Sequence, residues 1–337
     1  MKVERVLERL GGVAEAGVLQ RLTSRSRVRT ALARGLVVRD ARGRYALPGA
    51  DEAIRAASRL SGVLCLDSAA RHHGWKVKHQ PVSPAVAVPR NRKVAAERRT
   101  AVRLLYLDLD PREVDGLATG PVRTVMDCAA RLPFDEALTI ADSALRAGDL
   151  SRAQLLRGAE RVPVRHRARC LRVAEHADGL ADNPFESVLR AIALDVPGLE
   201  VRAQVRVRGI GRPDLVDRAL GLVVEAESFE FHGTRRLMKR DCERYNTFVV
   251  NGWTVVRFSW EHVMFDPGYV AAVLEASVGL LDGRPLGRAL DVHSTRLPAR
   301  AVRQRGPTAR PTGAGRASGS CRSTSSGGRR TPRPSGP

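Results

Sequence analysis

The chain has 337 residues and a formal net charge of +21, long enough for two or three domains with a sizeable buried core. That excess of lysine and arginine points to polyanionic partners, nucleic acid first and an acidic membrane surface second. No run approaches the roughly 20 apolar residues of a membrane span, and the N-terminal residues lack the apolar core of a secretory signal, so a cytoplasmic protein with no membrane partner is expected. The charge is uneven: residues 296–333 carry ten arginines and no acid, which leaves about half of the net charge for the rest of the chain. Cys65, Cys128, Cys170, Cys242 and Cys321 are scattered, odd in number and without a C-x-x-C pair. This speaks against a zinc site or a disulfide framework and for a reducing compartment.

Val3, Val6, Leu7 and Leu10 fall on one face of a first helix that Gly11-Gly12 ends. A second short helix is expected over residues 14–21. Thr23 or Ser24 can cap a third, in SRSRVRTALARG, with Val28, Ala31 and Leu32 inward and Gly35 where a left-handed C-cap belongs. In LVVRDARGRYALPG, Leu36 and Val38 alternate with Val37 and Arg39, Gly43 lies in the loop, and Tyr45 and Leu47 alternate with Arg44: a two-stranded wing. Residues 1–50 therefore read as a winged helix. Its third helix displays Arg25, Arg27, Arg29 and Arg34, and its wing adds Arg39, Arg42 and Arg44. A recognition helix in the major groove, with a wing on the adjacent backbone, needs cations in these places, so DNA is the expected partner. The alternative is a helical module with an ordinary charged surface that binds another protein.

Residues 51–180 read as a helical middle region without evident chemistry. Residues 53–66 look helical, Ser68 is placed to cap the next helix and Gly74 to stop it, and residues 85–88 and 102–107 are short strand candidates. Residues 122–132 and 134–146 give two further helices, the second with Ala137, Ile140, Ala144 and Leu145 on one face and Gly148 at its end. His72 and His73 are adjacent, so on a helix they diverge by about 100° and do not easily share an ion; they read as structural.

Residues 181–285 carry the candidate chemistry. Asn183-Pro184-Phe185-Glu186 supplies an N-cap, a proline at the first helical position and an acid at the third. Val201, Ala203, Val205 and Val207 alternate with Arg202, Gln204, Arg206 and Arg208, the pattern of a half-buried strand with a basic outer face. Two apolar runs, Leu215-Val216 and Leu222-Val223-Val224, flank a loop short enough for a hairpin. Asp214 and Asp217 stand at the mouth of the first run, Glu225 and Glu227 at the end of the second. His232-Gly233 then opens a basic helix whose inward stripe is Met238, Cys242, Tyr245 and Val249, with Arg235, Arg236, Lys239, Arg240 and Arg244 pointing elsewhere. Asn251-Gly252 turns into a third strand over residues 253–258. Carboxylates facing each other across strands are hard ligands for a divalent cation, which stabilises the charge of a phosphodiester transition state. A neighbouring basic helix, with Arg236 and Arg240 as nucleic-acid contacts, can grip the phosphates that acids repel. The bland alternative is a set of solvated strand-end charges, and for Glu186 a purely capping role. Past residue 286 the chain is rich in Arg, Pro, Gly and Ser and is expected to be disordered.

These motifs carry two resemblances. Residues 183–265 resemble the very-short-patch-repair-type endonuclease domain, a branch of the PD-(D/E)-x-K nuclease fold. The likeness lies in Glu186, Pro213-Asp214-Leu215, Glu225-Ala226-Glu227, Phe231-His232, and the tract from Lys239-Arg240-Asp241 through Asn246 to Gly252-Trp253-Thr254-Val255-Val256-Arg257-Phe258. It implies Mg²⁺, with Mn²⁺ as a substitute, held mainly by Asp214 and by Glu225 or Glu227, with Glu186 as an outer ligand and His232 as general acid/base or phosphate contact. Glu227 stands where that pattern has lysine, so the cation of the site would come from Lys239 or His232. Residues 1–150 resemble the winged-helix antitoxin and regulator of the abortive-infection AbiEi type. The matching pieces are the N-terminal helices, the wing, Ser68-Ala69-Ala70, Arg123-Thr124-Val125-Met126-Asp127 and the DSALRAG helix end. This implies promoter binding and neutralisation of a cognate nucleotidyltransferase toxin.

The expected whole is a mixed α/β chain: a winged helix at 1–50, the middle region at 51–180, a nuclease-like mixed sheet flanked by helices at 181–285, and a basic tail at 286–337. The leading functional expectation is a DNA-binding protein with a metal-dependent endonuclease-like domain, its catalytic set being Asp214, Glu225, Glu227, His232 and Lys239. The second is a transcriptional regulator or antitoxin whose nuclease fold has lost catalysis. The third is a module that recruits an acidic protein partner.

Overall fold

The structure, a computed structural model, describes residues 1–227 and 235–283, without the side chains of residues 235–238. His232, the side chains of Arg235, Arg236 and Met238, and the basic tail thus lie outside the described residues. Among the described residues the chain is mixed α/β, with three separate sheets.

The N-terminal part comprises α1 (Val3–Arg9), β1 (Val13–Glu15), α2 (Ala16–Leu22), α3 (Arg25–Ala33), β2 (Val38–Ala41) and β3 (Arg44–Ala46). Val3, Val6, Leu7, Leu19, Val28 and Val37 close its small core. Ser24 caps α3 by accepting the Arg27 N–H at 3.3 Å. Gly35, at φ +67, supplies the left-handed residue after the helix. The second helix starts two residues later than its pattern suggests, because Val13–Glu15 are drawn into the sheet beside β3. The sheet order is β1-β3-β2.

α4 (Glu52–Leu60) is shorter than expected. Ser61 turns left-handed at φ 48, and at Gly62 an added Cβ would lie 2.4 Å from the Ala87 carbonyl oxygen. The chain then passes through β4 (Val63–Leu64) into α5 (Leu66–His72), where Ser68 sits inside the helix rather than at its cap. Ser68 Oγ accepts the Ala85 N–H at 2.9 Å instead. With β5 (Ala85–Val88), β6 (Arg103–Tyr106), β7 (Val114–Asp115) and β8 (Ala118–Thr119), the region that reads as helical contains a five-stranded sheet, ordered β6-β5-β4-β8-β7. Three of these strands are only two residues long, too short to leave a period in the sequence. A short helix, α6 (Ala96–Arg99), lies between β5 and β6. α7 (Pro121–Arg131), α8 (Phe134–Ala147), α9 (Arg152–Arg161) and α10 (Val164–His176) follow, burying Val125, Met126, Leu138, Ile140 and Leu155 in the largest core.

α11 (Pro184–Ala193) opens the last sheet region, capped by Asn183 Oδ1 on the Glu186 N–H at 3.0 Å. The long strand expected from the 201–207 alternation is reduced to β9 (Arg202–Ala203). It stops because Gln204 adopts φ +55, which turns the chain out of the sheet. The hairpin is present as β10 (Leu215–Asp217) and β11 (Leu222–Glu227), with Leu215 opposite Val224 and Asp217 opposite Leu222. Past α12 (Arg235–Val250), β12 (Thr254–Ser259) pairs parallel with β11, giving the order β12-β11-β10-β9. α11, α13 (Trp260–Phe265) and α14 (Pro267–Leu281) bury one face of this sheet, against Leu215, Leu222, Val224 and Phe258. The other face packs Val216, Val223 and Val255 against Phe248 of α12. Because strand side chains alternate, Glu225 and Glu227 share the face of Val223 and look toward α12.

Candidate functional site

The acids of the hairpin do not share one role. Asp217 is a turn residue: its Oδ1 accepts the Ala219 and Leu220 N–H groups at 2.9 and 3.0 Å, and its Oδ2 accepts that of Glu200 at 2.7 Å. Glu225, buried, and Asp214, half-buried, instead lie together on the α12 face, close enough for each carboxyl to act on the other. Asp214 Oδ2 accepts the Ala226 N–H at 2.8 Å, fixing its carboxylate against β11. Burial and the mutual repulsion of the two carboxyls push Glu225 up to about 8, and burial raises Asp214 as well. Both effects favour keeping a proton on the pair that an isolated carboxyl would lose.

Two residues that sequence reasoning placed elsewhere complete the site. Arg244, read as an outward residue of α12, points inward, and its guanidinium meets Glu225 Oε1 at 2.8 Å. The true inward stripe of α12 includes Tyr245 and Phe248, with Cys242 and Val249 exposed. The pattern is not recoverable from apolar spacing because an arginine lies on the buried side. Gln204, read as part of a strand's outer face, is released by its left-handed backbone to reach two acids at once. Its Nε2 donates to Glu186 Oε2 and to Asp214 Oδ1, each at 3.1 Å. Arg212 Nε donates to Gln204 Oε1 at 2.7 Å and so sets which way the amide faces.

Glu186 thus joins the group through Gln204. Its carboxylate also accepts the Asp182 N–H and the Asn183 side-chain amide, both at 2.7 Å, which is the capping work expected of it. Burial pushes its pKa up to about 7. Glu227 is near enough to raise Glu225 further, yet it is bound to Arg257 at 2.8 Å and accepts a hydrogen bond from the Tyr245 hydroxyl. Lys239 is not brought to the acids: three quarters exposed (77%), it pairs with Glu243 at 3.6 Å along the outside of α12. Asp214 and Glu225 offer hard oxygen donors of the kind Mg²⁺ takes. Among the described residues, no three His, Cys, Asp or Glu side chains are grouped to hold a metal ion.

The arginine face at the other end of the chain divides similarly. Arg25, Arg27, Arg29, Arg34, Arg39 and Arg42 are exposed on α3 and the wing, and Arg240 is exposed on α12. Arg44 is not available in the same way. It is tied to Glu15 at 2.7 Å and to Ser61 Oγ at 2.5 Å, stapling the wing to β1 and to the end of α4. No helix among the described residues is long and apolar enough to cross a membrane.

Comparison with known proteins finds distant relatives and one family match. Two curated proteins of Mycobacterium tuberculosis, uncharacterized protein Rv2248 (strain ATCC 25618 / H37Rv) and uncharacterized protein MT2308 (strain CDC 1551 / Oshkosh), are each 28% identical over 220 residues, 62% of this chain and 79% of their own length. The crystal structure of the RV2827C protein from the same organism matches at 22% identity, over 56% of this chain and 78% of that one. Its TM-score is 0.32. Residues 62–175, which run from the start of the five-stranded sheet to the last turn of α10, match the AbiEi antitoxin C-terminal domain.

Proposed function

We propose that the protein is a DNA-binding regulator of the antitoxin kind: the winged helix reads an operator and the AbiEi-like region serves a cognate toxin. The observation that carries this reading is the antitoxin-domain match over residues 62–175, directly after a winged helix whose Arg25, Arg27, Arg29 and Arg42 are exposed together. Cations on a recognition helix and its wing suit phosphate contacts on both sides of a groove. The test is a gel-shift titration with the DNA upstream of the protein's own coding sequence, comparing the wild type with Arg27→Ala plus Arg29→Ala. Loss of about tenfold or more in affinity is expected, at about 1–3 kcal/mol per good contact. Equal affinity for that DNA and a scrambled duplex would remove the regulator reading.

A second reading is supported by the contact of Asp214 with Glu225 under Arg244 and Gln204. In it, the last sheet region is a metal-dependent phosphodiesterase. Asp214 and Glu225 would hold Mg²⁺ or Mn²⁺, which when bound supplies charge stabilisation and a more acidic water. Arg244 would take the neutralising role for which strand β11 offers only Glu227. Nicking of a supercoiled plasmid that disappears in Asp214→Asn plus Glu225→Gln would support this reading. No nicking by the wild type in Mg²⁺ or Mn²⁺, with unchanged DNA binding, leaves the regulator alone.

A further inference from the structure

A further cleft lies in neither of those places. It is a hollow of about 770 Å³ between the loop after β6, the lengths of α7 and α9 and the start of α10, within the size range of small-molecule sites. Seven arginines line it against four carboxylates. Those carboxylates are already engaged. Asp127 holds Arg123 and Arg131 at 2.7 and 2.8 Å, Glu113 holds Arg123 at 2.8 Å, and Asp108 faces Arg90 at 3.4 Å. Asp149 accepts the Trp75 indole N–H at 2.6 Å. Among the described residues, Arg112, Arg157, Arg161 and Arg165 have no carboxylate partner.

Four guanidiniums left over around one concavity focus a positive field into it. Arg157 and Arg161 stand one turn apart on α9, a like-charged neighbour pair that is unfavourable unless an anion lies between them. The first turns of α7 and α10, which have no side-chain cap, also border the hollow and add the positive ends of their dipoles. Val122, Met126, Leu150 and Val162 form an apolar part of the lining. Flat, delocalised guanidiniums match phosphate oxygens two at a time, and the apolar lining suits a planar ring. We propose that this cleft binds an oligophosphate chain, of the kind carried by a nucleoside triphosphate or present as free polyphosphate. Arg157 and Arg161 grip it from α9 and Arg112 grips it from the facing loop. A duplex is the less suitable occupant, because its phosphates lie on a broad convex surface that a hollow holding one nucleotide does not follow.

The experiment is isothermal titration of the full chain with ATP, GTP, inorganic tripolyphosphate and a short DNA duplex. The wild type is compared with Arg157→Gln plus Arg161→Gln, with Arg112→Gln, and with Arg25→Gln plus Arg29→Gln as a control that removes the same charge from α3. All the substituted residues are exposed, and circular dichroism checks that each variant folds. One-to-one binding is expected, weakened about tenfold or more by the α9 pair, about threefold or more by Arg112→Gln, and less than about twofold by the α3 pair. Tighter binding of the nucleotides than of tripolyphosphate would assign a nucleotide, and equal binding would assign the bare phosphate chain. Absence of one-to-one binding overturns the proposal, as does equal weakening by the α3 control. Binding of duplex DNA alone, lost in the α9 variant, would overturn it in favour of a DNA contact.

Discussion

At the scale of single residues, Arg244 is the least expected and most informative side chain. It brings a positive charge from a helix to Glu225, whose own strand offers only another acid two residues on. Truncating it as Arg244→Met should cost about 3 kcal/mol at pH 8–9, where a buried carboxylate is left facing its neighbour unpaired. The loss should shrink toward pH 6 as the pair keeps its proton, and urea denaturation at the two pH values checks this. The sign for Glu225 itself follows from linkage. Its folded pKa of about 8 lies above the ordinary value of 4.5, so the folded state binds more protons between those values and stability falls as pH rises through that window. Glu225→Gln should therefore flatten the decline in unfolding free energy between pH 5 and 8. An unchanged slope would show that the proton resides on another group.

Among the elements, the N-terminal helices and the β2–β3 hairpin were the most legible, and the arginines they carry make separable predictions. Removing Arg27 or Arg29 should reduce the salt dependence of DNA affinity by about one phosphate equivalent each, with folding stability unchanged. Arg44→Ala should instead lower stability by about 1 kcal/mol, because its guanidinium is spent on Glu15 and Ser61; thermal melts tell the two apart. The same distinction sets how far the sequence could be read. Caps such as Ser24 and Asn183 and the 215–224 hairpin depend on neighbours in the chain, and they are where the local pattern puts them. The acids Asp214 and Glu225 were visible for the same reason, within a set of four that also held Asp217 and Glu227. Gln204 and Arg244 were not, since one depends on a single left-handed residue that breaks an unbroken alternation. The other depends on which side of α12 the sheet happens to bury. The two-residue strands β4, β7 and β8 are held in place by their neighbours in the sheet rather than by a pattern of their own.

For the whole molecule, the decisive contact is the one between the AbiEi-like helices and the last sheet region. Asp142 of α8 and Arg190 of α11 are both almost fully buried, and Arg190 Nη2 meets both Asp142 oxygens at 2.7 and 2.8 Å. Arg190 Nη1 also bonds the His176 carbonyl at 2.5 Å and faces Asp178 at 3.2 Å, while Ser187 Oγ donates to Asp142 at 2.8 Å. Asp142→Ala should cost about 3–5 kcal/mol, because it strands a buried guanidinium, and a calorimetric melt should show the loss. The exposed pair Arg172–Asp195, by contrast, should contribute less than about 1 kcal/mol. The buried pair also governs how the gene can be cut. A fragment beginning near residue 181 would keep the acid site but carry Arg190 with its main counter-charge left on the discarded piece, and a fragment ending near residue 180 would carry the orphaned Asp142. Anyone wishing to assay the sheet region by itself should therefore begin the expression clone before α8, or replace Arg190 and Asp142 together with apolar residues of similar volume.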